Sequence, residues 1–316
     1  MELIYTDTNL NDIGILQGFT LDLAFGKDEN DFQLTTTTDN AVLEPGNYIY
    51  IDGTEYGGIV DGIKVDTSKG TVIYAGRTWQ GILNSKVIEP PTGQAYRTVS
   101  GDANTVLGSL ITLLGLGSLF SASVATSEFT ISNYSFDRYV KGYDGITKML
   151  KSVGARLELT FHSGAVLSAV AIKDYTTDEE FDSSQVDMVI EKVQNPVNHI
   201  ICLGSGELQN RQVAHLYLGQ DGLVTETQYY TGLNEVSDIY DYPNAESLDE
   251  LKKGGAEKLT GASSSIRLNL DGSTYAVGDI VGGYENITKT QVKQTITKKI
   301  VTIQNGYLSV KYEVGE

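Results

Sequence analysis

Three histidines, His162, His199 and His215, one cysteine, Cys202, and several runs of carboxylates are the side chains with which this 316-residue chain could do chemistry. Zinc wants four ligands in a structural site, or three and an open position in a catalytic one. His199 and Cys202 supply a single pair and the other histidines stand at no ligand spacing, so no metal site is expected. Nucleophilic catalysis needs a Ser or Cys placed by a base and an orienting acid, and the chain carries no Gly-x-Ser-x-Gly elbow. Cys202 lies inside Ile200-Ile201-Cys202-Leu203, where a thiol packs as a small hydrophobe. Gly204-Ser205-Gly206 follows that run as a phosphate-binding turn would, but a third glycine is missing and Glu207 would repel phosphate, so it reads as a turn. Asp28-Glu29-Asn30-Asp31 offers oxygens without the alternating Asp-x-Asp-x-Asp-Gly pattern and distal Glu of a calcium loop. Glycosidase chemistry needs two carboxylates at a set separation in a cleft, which spacing along the chain does not fix. No catalytic, cofactor-binding or metal-binding residue is therefore assigned, and no cofactor is expected. The 19 tyrosines, with clusters at Tyr229-Tyr230 and Tyr240-Asp241-Tyr242, suit half-buried strands and wet interfaces alike.

Composition narrows the classes. With 40% hydrophobic and 20% charged residues and only 5 Pro, the chain is globular, and its length suffices for two or three cores. Lys and Arg number 23 against 41 Asp and Glu, a formal charge of −18. Tight reading of DNA or RNA, which draws on cations that neutralise phosphate, is disfavoured, as is an anionic membrane surface. One cysteine makes no internal disulfide, which fits folding in a reducing cytoplasm. Met1 to Leu10 is polar and acidic where a secretory signal needs a basic start and an apolar run. The most apolar stretch, Val106 to Phe120, is interrupted by three glycines and falls short of the ~20 residues of a membrane span, so a buried helix capped by Asp102 or Asn104 is expected there.

The elements that must position these residues follow from periodicity. From residue 1 to about 90 the period is two, with Tyr48 to Ile51 and Tyr56 to Val65 forming a hairpin and Thr71 to Ala75 returning beside it. Residues 91–182 differ: the apolar helix is followed by a second from about Gly145 to Val153, with Asp144 as its cap and Gly154 as its left-handed stop. Arg156 to Phe161 and Val166 to Ile172 then form a hairpin about Ser163-Gly164. The acidic stretch 178–184 reads as an exposed connector to a new module, with strands at Asp187 to Leu203 and Val213 to Leu218. A helix follows, opened by the capping-box spacing of Ser247 and Glu250 and weakened by Gly254-Gly255. The chain closes with Ile296 to Ile303, the hairpin signal Asn305-Gly306, and Tyr307 to Val314.

Two stretches share a plan. Pro45-Gly46-Asn47-Tyr48-Ile49 precedes the strand-turn-strand of Val65 to Tyr74, and Val277-Gly278-Asp279-Ile280-Val281 precedes that of Val301 to Val310. Related β-domains at the two chain ends are one reading of this; the pattern common to all β-hairpins is the other.

Several segments, in order, resemble one family: Leu3-Ile4-Tyr5-Thr6-Asp7, Phe19 to Gly26, Tyr56 to Gly62, Gly76-Arg77-Thr78-Trp79-Gln80-Gly81-Ile82-Leu83, Arg138 to Tyr143, Tyr275 to Val281 and Lys298 to Ile303. That family is the siphovirus tail-hub proteins of the ReqiPepy type, which are similar to phage baseplate hubs. The resemblance implies a β-rich α+β chain with two antiparallel, tail-tube-like β-barrel domains and mixed α/β domains between them. The expected boundaries are 1–90 for the first barrel, 91–182 for a mixed α/β domain, and 183–316 for the second barrel with a helical insertion near 230–262. It also implies a non-enzymatic homotrimer at the virion tail tip, made in the bacterial host cytoplasm. Three copies would set six similar barrels in a ring, joining a hexameric tube to the tip around a channel for DNA. Its implied partners are the distal tail protein, the tape measure protein, and fibre or tip proteins. Many relatives continue into a lytic or sugar-binding region, whereas this sequence ends at Glu316 after its last hairpin, so no catalytic residue is expected to carry over. Two other readings are a cell-wall hydrolase using Asp and Glu, and a host-glycan-binding adhesin.

Overall fold

The computed structural model describes residues 1–176, 181–182, 188–191, 197–220, 223–243, 245, 247–261, 265–268, 275–285 and 290–315. The chain is a β-rich α+β protein whose contacts gather into two units, 1–188 with 268–315, and 189–267.

The first unit begins with seven strands, β1 (Leu3–Thr6), β2 (Asp12–Leu16), β3 (Phe19–Gly26), β4 (Asp31–Thr37), β5 (Tyr48–Tyr50), β6 (Gly57–Asp66) and β7 (Thr71–Thr78). Their alternation buries one face: Leu21 and Leu23 of β3 lie opposite Leu34 and Phe32 of β4, and all four are buried. The expected hairpin of β5 with β6, and the return of β7, are both present. Gly76 sits where a side chain could not, since an added Cβ would lie 1.9 Å from the Ile59 carbonyl oxygen.

A short helix α1 (Trp79–Asn84), opened by the Thr78 hydroxyl accepting from the Gly81 amide, carries the chain into a mixed layer. That layer holds β8 (Val87–Ile88), β9 (Thr98–Asp102), α2 (Ala103–Leu113), β10 (Phe120–Ala122), β11 (Thr130–Ser135), β12 (Val140–Lys141), α3 (Gly142–Lys151), and the hairpin β13 (Ala155–Phe161) with β14 (Ala165–Ala171). Asp102 caps α2, accepting from the Thr105 amide at 3.1 Å. The helix stops at Leu113 and not near Phe120, because Gly115 takes a left-handed φ of +68° and the chain turns into β10. Nor does Asp144 cap α3: the helix begins at Gly142 with Lys141 at the cap, and Asp144 falls within its first turn, where a carboxylate favours the positive end of the helix dipole. Gly154 does adopt the expected left-handed stop.

The expected boundary at residue 90 is crossed by one core. Trp79, fully buried, stacks on Phe161 with ring centroids 4.3 Å apart, and both belong to a cluster that runs through Leu83, Leu107, Ile146 and Leu167. Of the expected connector, Phe181 and Asp182 form a short strand β15 (Phe181–Asp182), and residues 178–180 and 183–184 lie outside the described residues.

The second unit is entered and left through a strand pair, β16 (Met188–Glu191) and a later strand given below. It contains β17 (His199–Leu203), β18 (Val213–Leu218), β19 (Val224–Thr225), β20 (Ser237–Asp241) and the helix α4 (Leu248–Gly261); the exit strand, paired with β16, is β21 (Ser265–Leu268). Sheet order is β19-β18-β17-β20, with β20 parallel to β17. Helix α4 covers one face, packing Leu251 and Leu259 on Ile200, Cys202 and Leu216. The paired glycines that weaken the helix by propensity are what lets it approach, for a Cβ on Gly254 would meet the Tyr240 hydroxyl at 2.3 Å and one on Gly255 the Cys202 sulfur at 2.2 Å. The Ser247 hydroxyl accepts from the Glu250 amide, as its spacing predicts.

The last three strands, β22 (Ile280–Glu285), β23 (Thr290–Gln304) and β24 (Tyr307–Gly315), do not form a module with the second unit. β23 pairs antiparallel with β3 from Lys298↔Gly26 to Gln304↔Thr20, so the chain ends are joined in one sheet of eleven strands. Its path runs β15-β22-β23-β3-β4-β7-β6-β5-β1-β2, with β24 on β23. The division expected at 182–183 therefore places residues 280–315 with the wrong partner, because a strand's neighbours are set by which edge its apolar face can share. Asn305 and Gly306 both take positive φ, the two-residue turn expected of that pair.

Candidate functional site

The residues with chemical potential are scattered over both units. His162, in the β13–β14 turn, is exposed and pairs through Nδ1 with Asp52 at 2.8 Å. Cys202 is buried under α4, and burial pushes its thiol up, away from the thiolate that a nucleophile needs. Gly204-Ser205-Gly206 is the turn expected, closed by the Gly204 amide to the Gln212 carbonyl. Asp28 to Asp31 link β3 to β4: Asn30 ties back to Gly26 by two hydrogen bonds, Glu29 pairs with Lys298, and burial with the neighbouring Glu29 raises Asp31. Tyr229 and Tyr230 meet edge to face at 5.0 Å, and Tyr240 and Tyr242 lie 6.1 Å apart. Among the described residues no group of three or more His, Cys, Asp or Glu could hold a metal ion. No helix among them is long and apolar enough to cross a membrane.

One cluster escapes sequence reading. On the second unit's sheet the His199 Nδ1 lies 2.6 Å from Glu235 and 3.0 Å from the Ser237 hydroxyl, while its Nε2 lies 2.9 Å from His215 Nδ1. Tyr217 stacks on His199 at 4.3 Å. A nucleophile and its orienting acid must address opposite ring nitrogens. Here Glu235 and Ser237 share one, so the arrangement fixes the imidazole without activating the serine. The only sequence signal is the placement of His199 and His215 on either side of the 204–212 loop, which the β17–β18 register converts into proximity.

Two open cavities of the first unit gather several titratable side chains. One of about 510 Å³ lies between β1, β5 and the β13–β14 turn and is lined by Glu2, Asp12, Asp52, Tyr50, Phe161 and His162. Two of its carboxylates are already engaged, Asp12 by the Tyr50 hydroxyl at 2.9 Å and Asp52 by His162. Burial, reinforced by that bond to Asp12, pushes the Tyr50 hydroxyl up to about 12. The other, of about 520 Å³, mixes Lys27, Arg77 and Lys141 with Asp28, Asp31 and Asp144. Neither presents an unpartnered nucleophile beside a base.

Two buried ion pairs tie the C-terminal strands into the first unit. Asp279, fully buried, accepts from Arg156 Nε at 2.8 Å and from the Lys173 amide at 3.0 Å. Lys299, 4% exposed, donates to Glu55 at 2.9 Å beneath the rings of Tyr56 and Tyr312. Burial alone would pull the Lys299 ammonium down; Glu55 and Tyr56 outweigh it and hold it above the ordinary lysine value. Sequence reading singled out neither pair, because each joins residues more than a hundred positions apart.

Both pairs thus join segments that lie far apart along the chain. The chain is similar in structure to the 43 kDa tail protein of prophage MuSo2 from Shewanella oneidensis, with a TM-score of 0.59 at 12% identity over 100% of this chain and 98% of that one. It is similar to the tail protein from Neisseria meningitidis MC58, with a TM-score of 0.55 at 12% identity over 100% and 96%. Prophage tail protein gp18 from Listeria monocytogenes EGD-e gives 0.53 at 9% identity over 100% and 95%. At such identities the likeness is one of fold: the chain has the fold of these phage tail proteins along its whole length. No family model matches it. A stretch of 96 residues is 31% identical to part of the RNA polymerase sigma-B factor of Bacillus subtilis, covering 29% of this chain and 37% of that one. The chain thus spans little more than a third of that relative, too little to define a family.

Proposed function

We propose that the protein is a structural tail hub of a phage or prophage, non-enzymatic, that forms a trimeric ring at the tail tip. In this reading each chain contributes two tube-like β-barrel domains, so that three copies present six to a hexameric tail tube around a channel for DNA. The expected siphovirus, ReqiPepy-type kinship belongs to this proposal. So do the partners, the distal tail protein, tape measure protein and fibre or tip proteins, and a place in the virion after synthesis in the host cytoplasm. The observation that carries it is the fold shared over the whole chain with three phage tail proteins. The turn-and-hairpin unit that occurs twice in the eleven-stranded sheet, once from each end of the chain, supports it further. A charge of −18 suits a channel in which carboxylates repel passing phosphates and prevent sticking.

Native mass spectrometry across a concentration series tests it. A ring of three predicts about 103 kDa, three times 34.3 kDa; a persistent dimer contradicts threefold closure. Turnover of peptidoglycan, or saturable binding of host glycan by the isolated chain, would move the assignment to the hydrolase or the adhesin.

A further inference from the structure

The two hairpins β6–β7 and β23–β24 are built alike, yet one of them lacks a neighbour. In β23 the half from Lys298 to Gln304 lies between β24 and β3. In β6 the corresponding half, Gly62 to Asp66, pairs among the described residues with β7 alone, since β5 reaches only Gly57 to Ile59. Both strands carry a bulge at the same place, between Val60 and Gly62 and between Ile296 and Lys298, so a bulge does not prevent pairing at this edge. The side chains show what is missing. Ile63 and Val65 lie opposite buried Tyr74 and Val72 and so face the core side, but they are 38% and 54% exposed. Their counterparts Lys299 and Val301 lie opposite Tyr312 and Val310, and with β3 alongside they are 4% and 0% exposed.

We infer that the edge of β6 from Gly62 to Asp66 is a junction between copies of this chain, and that a strand of a second copy takes there the position β3 takes on β23. The inference rests on the ring proposed above. The occupant is a second copy because the pairing that covers this edge in the C-terminal hairpin is made by the chain itself, by a strand of its other half. Repeating that contact from chain to chain is a head-to-tail interface, the kind that closes rings. Left open, an edge with two core-facing aliphatic side chains is a template for unwanted pairing.

The test is the mass of the full chain and of an Ile63→Lys, Val65→Lys double variant over one concentration series, with thermal unfolding of both at a concentration where each is monomeric. Both positions are exposed, so monomer unfolding should be unchanged. The expected result is assembly to about three times 34.3 kDa for the parent chain and a variant that stays at 34.3 kDa throughout. A variant that assembles as the parent does overturns the junction and leaves the ring standing. A parent chain that stays monomeric at every concentration removes the self-assembled ring and the junction with it.

Discussion

The turn that precedes β5 and the turn that precedes β22 share one hydrogen-bond plan, closed by Asn47 in the first and by Asp279 in the second. In the first, the Leu43 amide donates to the Tyr74 hydroxyl, the Glu44 amide to Asn47 Oδ1, the Asn47 amide to the Glu44 carbonyl and the Gly46 amide to the Val60 carbonyl. In the second, the Ala276 amide donates to Asp279 Oδ2, the Asp279 amide to the Ala276 carbonyl and the Gly278 amide to the Ile296 carbonyl, and Tyr312 again receives a backbone bond from Tyr275. Gly46 and Gly278 adopt φ of +94° and +99°. Where the first turn closes on an amide, the second closes on a carboxylate, and the carboxylate has drawn in Arg156 and the Lys173 amide. An amide oxygen is satisfied by one donor, whereas a buried carboxylate must be paired. The exchange of Asn for Asp thus turns a local turn into a tie between the C-terminal strands and the mixed layer.

Making the second turn like the first should have the largest effect. Asp279→Asn leaves the largely buried Arg156 only the more distant, half-exposed Glu158 at 3.7 Å, for an expected loss of about 3 kcal/mol in urea unfolding, the low end for a broken buried pair. Adding Arg156→Met should recover much of it, and a single-variant loss well under about 1 kcal/mol would break the comparison. The reverse exchange, Asn47→Asp, places a carboxylate at a buried site that no cation among the described residues pairs with, and should cost about 1–3 kcal/mol. An unchanged stability there would mean that the first turn also has a cation within reach.

Alkaline unfolding sharpens the difference further. Tyr50 and Tyr312 are each pushed up to about 12, chiefly by burial, from an ordinary value of 10.0. A raised folded value favours the protonated form, so their contribution is fully present below about pH 10 and is lost as pH rises through about 12. Lys299, also held above its ordinary value, acts in the same direction. Tyr312→Phe should flatten the fall in stability between about pH 10 and 12, read by urea unfolding at each pH. An identical slope in the variant would remove Tyr312 from the account. The smallest effect expected is the loss of the α2 cap: Asp102→Ala should cost about 1–2 kcal/mol, with Asp102→Asn recovering part of it.

Much of the local structure was legible. Hairpins at Asp52-Gly53, Ser163-Gly164 and Asn305-Gly306, the Asp102 cap and the Ser247 cap all rest on contacts between residues a few positions apart, and the Gly46 and Gly278 turns could be aligned because each residue's role in them is local. Position along the sheet was another matter. Val65 and Val301 occupy the same place in like hairpins, and nothing in either residue says that one is half-exposed and the other buried. The Glu235–His199–His215 cluster was unreadable for the same reason, since register between strands, not spacing along the chain, brings the rings together.

The sequence by itself determined a β-rich chain, where its turns and caps fall, which turns repeat, and the lack of a motif for metal or nucleophilic chemistry. Period, capping and positive φ act over a few residues, within reach of a pattern. The tertiary structure alone decided that the C-terminal strands belong to the N-terminal sheet, that Asp279 and Lys299 are buried and paired, and that β6 keeps an open edge. Each of these depends on which distant segment shares an apolar face or satisfies a buried charge, and that choice is made by packing across more than a hundred residues.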